Sequence, residues 1–345
     1  MNIQTLGIDL GKSKFHVVGL DAQGRPVLRR EFSRTQLLRW VANTPACLIG
    51  MEACSGAHYL GHRFVVHGHT VRLMPAQYVK PYVKTNKSDF LDAEAIAEAV
   101  TRPTMRFVPL KTREQQELQA QHRLRSLWVR QRTATVNQTR ALLLEQGLTI
   151  PKMIGNFRRQ LPRILEDADN GLSPRLRVLV DQLLHQVHDL DARIDALTSE
   201  LTARAQNEPG CQRLMTVPGI GPLTATAIVA AIGNGQGFKR GRHFAAWLGL
   251  VPRQYSTGGQ PKLLGISKRG NAYVRMLLIH GARSVLRVAP KRKDALGTWL
   301  QRLGTRAHPN VVTVALANKT ARVAWAVLTG ESTWCADRAA ADSAD

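Results

Sequence analysis

From Pro209 to Lys293 the 345-residue sequence contains no aspartate or glutamate, against fourteen lysines and arginines. Any carboxylate that takes part in chemistry there must come from elsewhere. Cysteine is also scarce: Cys47, Cys54, Cys211 and Cys335 are scattered and form no CxxC pair. That spacing argues against a structural zinc site and against a disulfide framework. No apolar run reaches the eighteen or so residues of a membrane span. The N-terminus "MNIQTLGIDL" is short and carries an acid, unlike a signal peptide. Together these absences predict a cytoplasmic protein that is not held in a membrane.

What is present is positive charge. The formal net charge is +23 and the isoelectric point is near 10.8. Such a surface attracts phosphates over long range and independently of sequence, so a nucleic acid is the default partner and an acidic membrane surface the weaker rival. A hydrophobic content of 44% marks a globular chain, long enough for two or three domains. Four histidines crowd "HYLGHRFVVHGH", with His58 and His62 one helical turn apart, but no third ligand has zinc spacing, and a partly exposed helix and turn is the preferred reading.

The first hundred residues alternate strand and helix patterns. "IQTLGIDL" reads as an apolar strand, and "FHVVGLD" and "PVLRREF" flank a turn at "AQGR". A short helix from about Thr35, the strand "ACLIGME", a helix from about Gly56 and the strand "TVRLM" follow, which is a mixed α/β sheet. From about Thr112 the pattern turns helical. Between Arg106 and Arg163 twelve lysines and arginines face three acids, which favours helices along a phosphate backbone, with Arg123, Arg125 and Arg130 as candidate contacts.

Ser173 and Pro174 then start a helix in which Leu176, Val180, Leu183, Val187, Leu190, Ile194, Leu197 and Leu201 keep a strict seven-residue repeat. This predicts self-association or an intramolecular helical hairpin. "VPGIGPLTATAI" has the form of a helix-hairpin-helix element, with Gly219 and Gly221 letting backbone N–H groups approach a phosphate; a turn whose glycines serve packing alone is the alternative. The segment "YSTGGQPKLLGISKRG" reads as a loop rich in hydroxyls and cations, and residues 331–345 as a polar, frayed tail.

Two patterns bear on chemistry in the first domain. "GIDLGKS" falls one residue short of a Walker A motif, and Asp9 would aim a charge into a phosphate cradle, so it is rejected. Asp9 instead ends the first strand, Glu52 ends "ACLIGME", and Asp89 and Asp92 lie three residues apart on one helical face. Converging carboxylates repel unless cations sit between them, and Mg²⁺ prefers oxygen ligands. Two such ions can stabilise the entering and leaving oxygens of a phosphoryl displacement.

In order along the chain, "GIDLGKSKFHV", "MEACSGAHYL", "KSDFLDAEAIAEA", "VPGIGPLTATAI", "FAAWLGLVPRQYSTGG" and "ISKRGNAYVRMLLIHGAR" resemble the DEDD transposases of bacterial insertion-sequence family 110, most closely its 1111 subgroup. The resemblance implies a RuvC-like domain of the RNase H fold over residues 1–110, basic helices and a coiled coil over 111–207, and a mainly helical transposase domain over 208–330. The family's acidic tetrad falls on Asp9, Glu52, Asp89 and Asp92. A further implication is a structured guide RNA, encoded in the element's own non-coding end, that pairs with donor and target DNA; the family also resembles pilin-gene invertases. Its nucleophilic serine falls on Ser256 when the loop is anchored at "ISK", and on Thr257 when it is anchored at "PRQY"; Ser256 is preferred.

The resulting expectation is DNA strand exchange by a homo-oligomer, a dimer or, on DNA, a tetramer. Mg²⁺ at the tetrad activates the Ser256 hydroxyl, a covalent phosphoserine forms, and Lys262, Lys268 and Arg269 offset phosphate charge. The alternatives are a metal-dependent junction resolvase that uses water, an actin-like sugar kinase suggested by the first strand and turn, and a non-catalytic architectural protein.

Overall fold

The computed structural model describes residues 2–84 and 88–335. The chain divides into two compact units, Met1–Thr112 and a second that begins at Arg113.

In the first unit β1 (Thr5–Leu10), β2 (Lys14–Leu20) and β3 (Pro26–Ser33) form an antiparallel meander, followed by α1 (Arg34–Ala42), β4 (Leu48–Glu52), α2 (Ala57–Val66) and β5 (Thr70–Met74). After the short α3 (Ala76–Val79) comes α4 (Asp89–Val100). The sheet order is β3-β2-β1-β4-β5, with β4 parallel to β1 and β5 parallel to β4. These are the strands and the meander that the alternating patterns predict.

Helices cover both faces of this sheet, and strict alternation along the strands assigns each side chain to a face. Leu6, Ile8, Phe15, Val17, Ile49 and Met51 pack with Leu37 of α1 and with Leu60 and Phe64 of α2. Val18 and Leu20 pack with Ala93 and Ala97 of α4 on the opposite side. Because both faces are buried, β1 and β2 read as nearly continuous apolar runs.

The second unit opens with α5 (Arg113–Leu144), α6 (Ile154–Glu166) and α7 (Pro174–Asn207). Helices α8 (Pro209–Met215), α9 (Pro222–Ile232) and α10 (Gly241–Trp247) follow, then the two-stranded ribbon β6 (Pro252–Thr257) and β7 (Gln260–Ile266). Next are α11 (Ala272–Val288), α12 (Ala295–Gly304) and α13 (Pro309–Thr329). The boundary placed at 207–208 falls inside this unit, where Leu118, Leu201 and Ala230 share one cluster.

The heptad seam is occupied within the chain. Helices α5 and α7 pair antiparallel, Gln121 bonding Glu200, Arg125 bonding Thr198 and Arg132 bonding Asp191. Val180, Val187, Leu190, Ile194, Leu197 and Leu201 are buried, which is the intramolecular hairpin of the two arrangements predicted. Leu183 is only half-buried and Leu184 takes its place against Phe157 and Leu161 of α6, since a third helix widens the apolar face beyond a two-helix seam.

Helix α13 has mean hydropathy 1.3 and the length to cross a membrane, the one such helix among the described residues. It is a core helix: Val312, Leu316, Ala317, Ala321, Ala324 and Leu328 are buried in the largest cluster of this unit. The tail departs from its expectation up to Trp334, which packs on that cluster and whose backbone N–H donates to Thr216 at 2.9 Å; residues 336–345 lie outside the described residues.

Candidate active site

The acidic site follows from sheet alternation and two glycines. Gly7 and Gly50 are paired in the parallel β1–β4 register, and both face α4. A Cβ on Gly7 would run into the carbonyl of Ala93 and stand 2.5 Å from the backbone nitrogen of Ala97, while one on Gly50 would stand 2.8 Å from the Cβ of Val100. Only glycine permits this approach of helix to sheet. Two residues further along each strand, on the same face, come Asp9 and Glu52, and the first turn of the helix carries Asp89, one turn before Ala93, and Asp92 beside it.

The four carboxylates therefore share one electrostatic neighbourhood. Asp9 is held above the ordinary carboxylate range, first by burial and then by the negative charges of Asp92 and Asp89, with His16 and the Leu10 backbone pulling the other way. Glu52 is raised by burial, then by Asp9 and Asp92. Among the described residues no three His, Cys, Asp or Glu side chains are closed tightly enough around one point to hold a metal ion. As a donor set, four carboxylates suit a hard divalent cation, and an ion there would relieve the mutual repulsion that adds to burial in raising Asp9 and Glu52.

Several supporting residues were not singled out in the sequence. His16 is paired with Asp9 in the β1–β2 register, and its ring is buried. Its Nε2 lies 3.3 Å from Glu31, its Nδ1 lies 3.7 Å from Asp89 with no hydrogen-bond partner, and Phe90 packs edge-on against the ring. The sign available in the sequence was a histidine inside the apolar strand "KFHVVGL". Glu94, buried on α4, pairs with Arg29 of β3 at 2.6 Å and with Lys84 at 3.1 Å, and Lys84 also reaches Glu98 at 2.6 Å. These pairs hold α4 against the sheet edge and so set where Asp89 and Asp92 stand.

His58 and His62 are engaged elsewhere. The Lys111 backbone N–H donates to His58 Nδ1 at 3.3 Å, and the His62 ring bonds the Lys111 carbonyl at 2.8 Å. The bland reading of this cluster is the better one.

In the second unit the hydroxyl segment departs from the predicted loop. It forms the β6–β7 hairpin, joined by Gly258 and Gly259 at φ +56° and +76°, two positive-φ residues as a tight two-residue turn requires. Pairing sets the faces: Ser256 is opposite Pro261, and Thr257 is opposite Gln260. Ser256 shares its face with Gln254, whose side chain donates to its Oγ at 2.7 Å, and Thr257 lies on the other face. Both are exposed.

The remaining basic candidates have separate fates. Arg123, Arg130, Lys262, Lys268 and Arg269 are exposed. Arg125 is half-buried and spent inside the chain, its Nε donating to Thr198 at 2.7 Å, because α7 covers that side of α5. Gly219, at φ +88°, lies in the turn between α8 and α9, and its Cβ would stand 3.0 Å from the carbonyl of Gly281. A packing role therefore accounts for it. Gly221 caps α9 and its Cβ position is open.

Comparison with known proteins places these features in one lineage. A DEDD transposase model, described as "Transposase", matches residues 6–147, which include all four acids. The model "Transposase IS116/IS110/IS902 family" matches residues 211–296, which include the hairpin. A probable family 20 transposase of Pseudomonas aeruginosa is 46% identical over 96% of this chain and 98% of its own length. The transposase for insertion sequence element IS1111A of Coxiella burnetii is 42% identical over 96% of this chain and 92% of its own. A pilin gene-inverting protein of Moraxella lacunata is 25% identical over 73% of each. With two family models falling on the acidic unit and on the hairpin, and with relatives matched over nearly their whole length, the chain belongs to the IS110/IS116/IS902 family of insertion-sequence transposases, enzymes that act on DNA.

Proposed function

We propose that this transposase is a strand-exchanging DNA recombinase, guided by an RNA from the element's non-coding end, with a RuvC-like catalytic domain and a serine nucleophile. One observation carries the catalytic half: at the ends of β1 and β4 and the start of α4, burial and the neighbouring negative charges, Asp92 and Asp89 for Asp9, Asp9 and Asp92 for Glu52, raise Asp9 and Glu52 together. Two Mg²⁺ held there would polarise the scissile phosphate and ease ionisation of an attacking hydroxyl. The match to a DEDD-type transposase domain supports that reading, since a set of clustered carboxylates suits a divalent metal.

In the proposed step Ser256 Oγ bonds to phosphorus, the P–O3′ bond breaks, the serine proton passes to solvent, and the leaving 3′ oxygen takes up a proton. A 3′ hydroxyl from another strand then attacks the phosphoserine, which restores a phosphodiester and frees Ser256. The Gln254 amide donates to Ser256 Oγ and so directs the hydroxyl proton elsewhere. Ser256 is the residue proposed, and Thr257, on the opposite face, is its alternative.

The acids lie in the first unit and the hydroxyl in the second. We assign the two halves to different subunits of a homo-oligomer, a dimer or, on DNA, a tetramer. The Leu176–Leu201 seam is filled by α5, so that association uses another surface. Exposed Arg123 and Arg130 suit the guide RNA or donor and target DNA, and Lys262, Lys268 and Arg269 suit the phosphates at the cut, at the nucleoid in the cytoplasm. A relative named for inverting a pilin gene fits an exchange of this kind.

The test is denaturing electrophoresis of protein incubated with Mg²⁺, co-purified RNA and labelled element ends. Wild type and Thr257→Ala trap a covalent adduct, and Ser256→Ala does not. Undiminished cleavage by Ser256→Ala would establish water as the nucleophile, and an adduct lost only in Thr257→Ala would move the role to the threonine.

A further inference from the structure

The β6–β7 hairpin presents large apolar side chains to solvent. Tyr255 is 64% exposed, Leu263 67% and Leu264 41%, and every residue of β6 is exposed. Its base, by contrast, is fixed. Ser267 N–H donates to the Val251 carbonyl at 2.8 Å and Lys268 N–H to the Gly249 carbonyl at 3.1 Å, while Arg275 donates to the carbonyls of Leu248 and Arg269. A ribbon held at its root and bare along its length is an arm presented to a partner.

The pairing gives the arm two different faces. Tyr255 stands directly across from Lys262, and Thr257 from Gln260 on that same side. Gln254, Ser256, Pro261 and Leu263 occupy the other. An exposed aromatic ring and an ammonium paired across two strands offer a flat π surface with a cation beside it. Charge selects the occupant. With no acid between Pro209 and Lys293, a matching surface must bring negative charge, and an apolar ring must be met by something flat and poorly hydrated. Unpaired nucleotides supply both, the base stacking on the ring and the phosphate meeting the cation, whereas a duplex keeps its base faces within its own stack.

We infer that Tyr255 and Lys262 form a stacking platform for an unpaired DNA base at the strand being exchanged, with Tyr255 against the base and Lys262 on the flanking phosphate. This deepens the recombinase reading and rests on its DNA substrate, but does not depend on which hydroxyl attacks. Adjacent Tyr255 and Ser256 face opposite ways, so with Ser256 as the nucleophile a strand stacked on the ring crosses the β6 edge to bring a neighbouring phosphate to it, whereas Thr257 would meet the strand on the ring's own face. The crossing path splays the stacked base away from its neighbour.

The full-length chain in EDTA, where no cleavage proceeds, is titrated with single-stranded oligonucleotides carrying 2-aminopurine and with the matching duplexes. Wild type and Tyr255→Phe quench the probe on binding. Tyr255→Ala abolishes the quenching and weakens single-strand binding about 5- to 150-fold, the range for loss of one base–aromatic stack, while duplex affinity is unchanged. Lys262→Ala keeps the quenching and lowers the slope of log affinity against log salt by about 0.7, the share of one phosphate on a single strand. Wild-type quenching and affinity in Tyr255→Ala overturn the platform, as does equal loss on single strand and duplex. Unchanged DNA binding with a smaller oligomer by light scattering assigns the face to a second copy of the chain and also overturns it. No salt-steep binding of any DNA by wild type would instead sink the DNA reading itself.

Discussion

Gly7 and Gly50 stand opposite each other in the parallel register of β1 and β4, and both lie under α4. The distance between helix and sheet at this point sets how near Asp89 and Asp92 at the start of α4 stand to Asp9 and Glu52. A methyl group on Gly7 meets the helix backbone, which cannot give, whereas one on Gly50 meets the Val100 side chain. Gly7→Ala is therefore expected to cost roughly 3 kcal/mol or more and Gly50→Ala nearer 1–2 kcal/mol, within the range for overpacking. Denaturant melts measure the cost. Gly7→Ala should also lose more metal-dependent cleavage than its stability loss explains, and equal behaviour of the two variants would contradict the close approach.

The tetrad is a stability liability. Asp9 and Glu52 are raised in the folded chain, so their favourable contribution exists only below the unfolded carboxylate value and is lost as pH rises through the folded one. At neutral pH without divalent metal, Asp9→Asn should melt at a higher temperature than wild type while being inactive. The gain should shrink at pH 4, where the carboxylates protonate, and on adding Mg²⁺ to wild type. Calorimetry at the two pH values checks the sign; a lower melting temperature for Asp9→Asn at neutral pH would refute it.

His16 bridges Glu31 and the neighbourhood of Asp89 from the buried face of β2. His16→Ala should raise the Mg²⁺ concentration that half-saturates cleavage about tenfold, as loss of a group orienting a metal ligand does. Cleavage at saturating Mg²⁺ should recover most of its rate. Isothermal titration of the variant with Mn²⁺ gives a readout independent of turnover, and unchanged affinity would reduce His16 to a packing residue.

His122 is the buried polar centre of the second unit. Its Nδ1 lies 3.1 Å from Tyr273 Oη and its Nε2 3.0 Å from Thr226 Oγ1, and because Thr226 donates its own hydrogen to the Pro222 carbonyl at 2.7 Å, the tautomer that fits carries the hydrogen on Nε2 and accepts from Tyr273 at Nδ1. Burial, with Arg125 adding to it, holds His122 down to about 4. A depressed histidine contributes stability that is complete above its unfolded value near 6.5 and lost as pH falls toward about 4. That loss is on the order of 3 kcal/mol. Urea melts at pH 7, 5.5 and 4.5 should show the second unit weakening across this window in wild type. His122→Asn should start less stable and show a flatter dependence; an unchanged slope would place the acid lability elsewhere.

Much of the first unit could be read from its sequence because its strands are short, bounded by turns, and apolar on both faces. The acids Asp9 and Glu52 were legible for the same reason: each breaks an apolar strand at its end, where a core residue would otherwise stand. His16 was not, since one histidine within an apolar strand has the same pattern whether it fills a core or faces a carboxylate. The β6–β7 ribbon was missed because "STGGQPKLL" lacks the apolar alternation of a half-buried strand. Neither face of the ribbon is buried, so there was no burial to print a period on the sequence. Its Gly258–Gly259 turn was the remaining cue.

The sequence by itself determined the family, the order of sheet and helices, and an acid-free basic segment around the hydroxyls. All of these are written in local spacing and residue type. Tertiary structure decided the rest: that the Leu176–Leu201 helix spends its apolar face on α5 and α6, that Arg125 is turned inward, and that Ser256 and Thr257 face opposite ways. Each depends on which surface a distant segment covers, and a repeat or a charge has the same spacing whichever partner fills it.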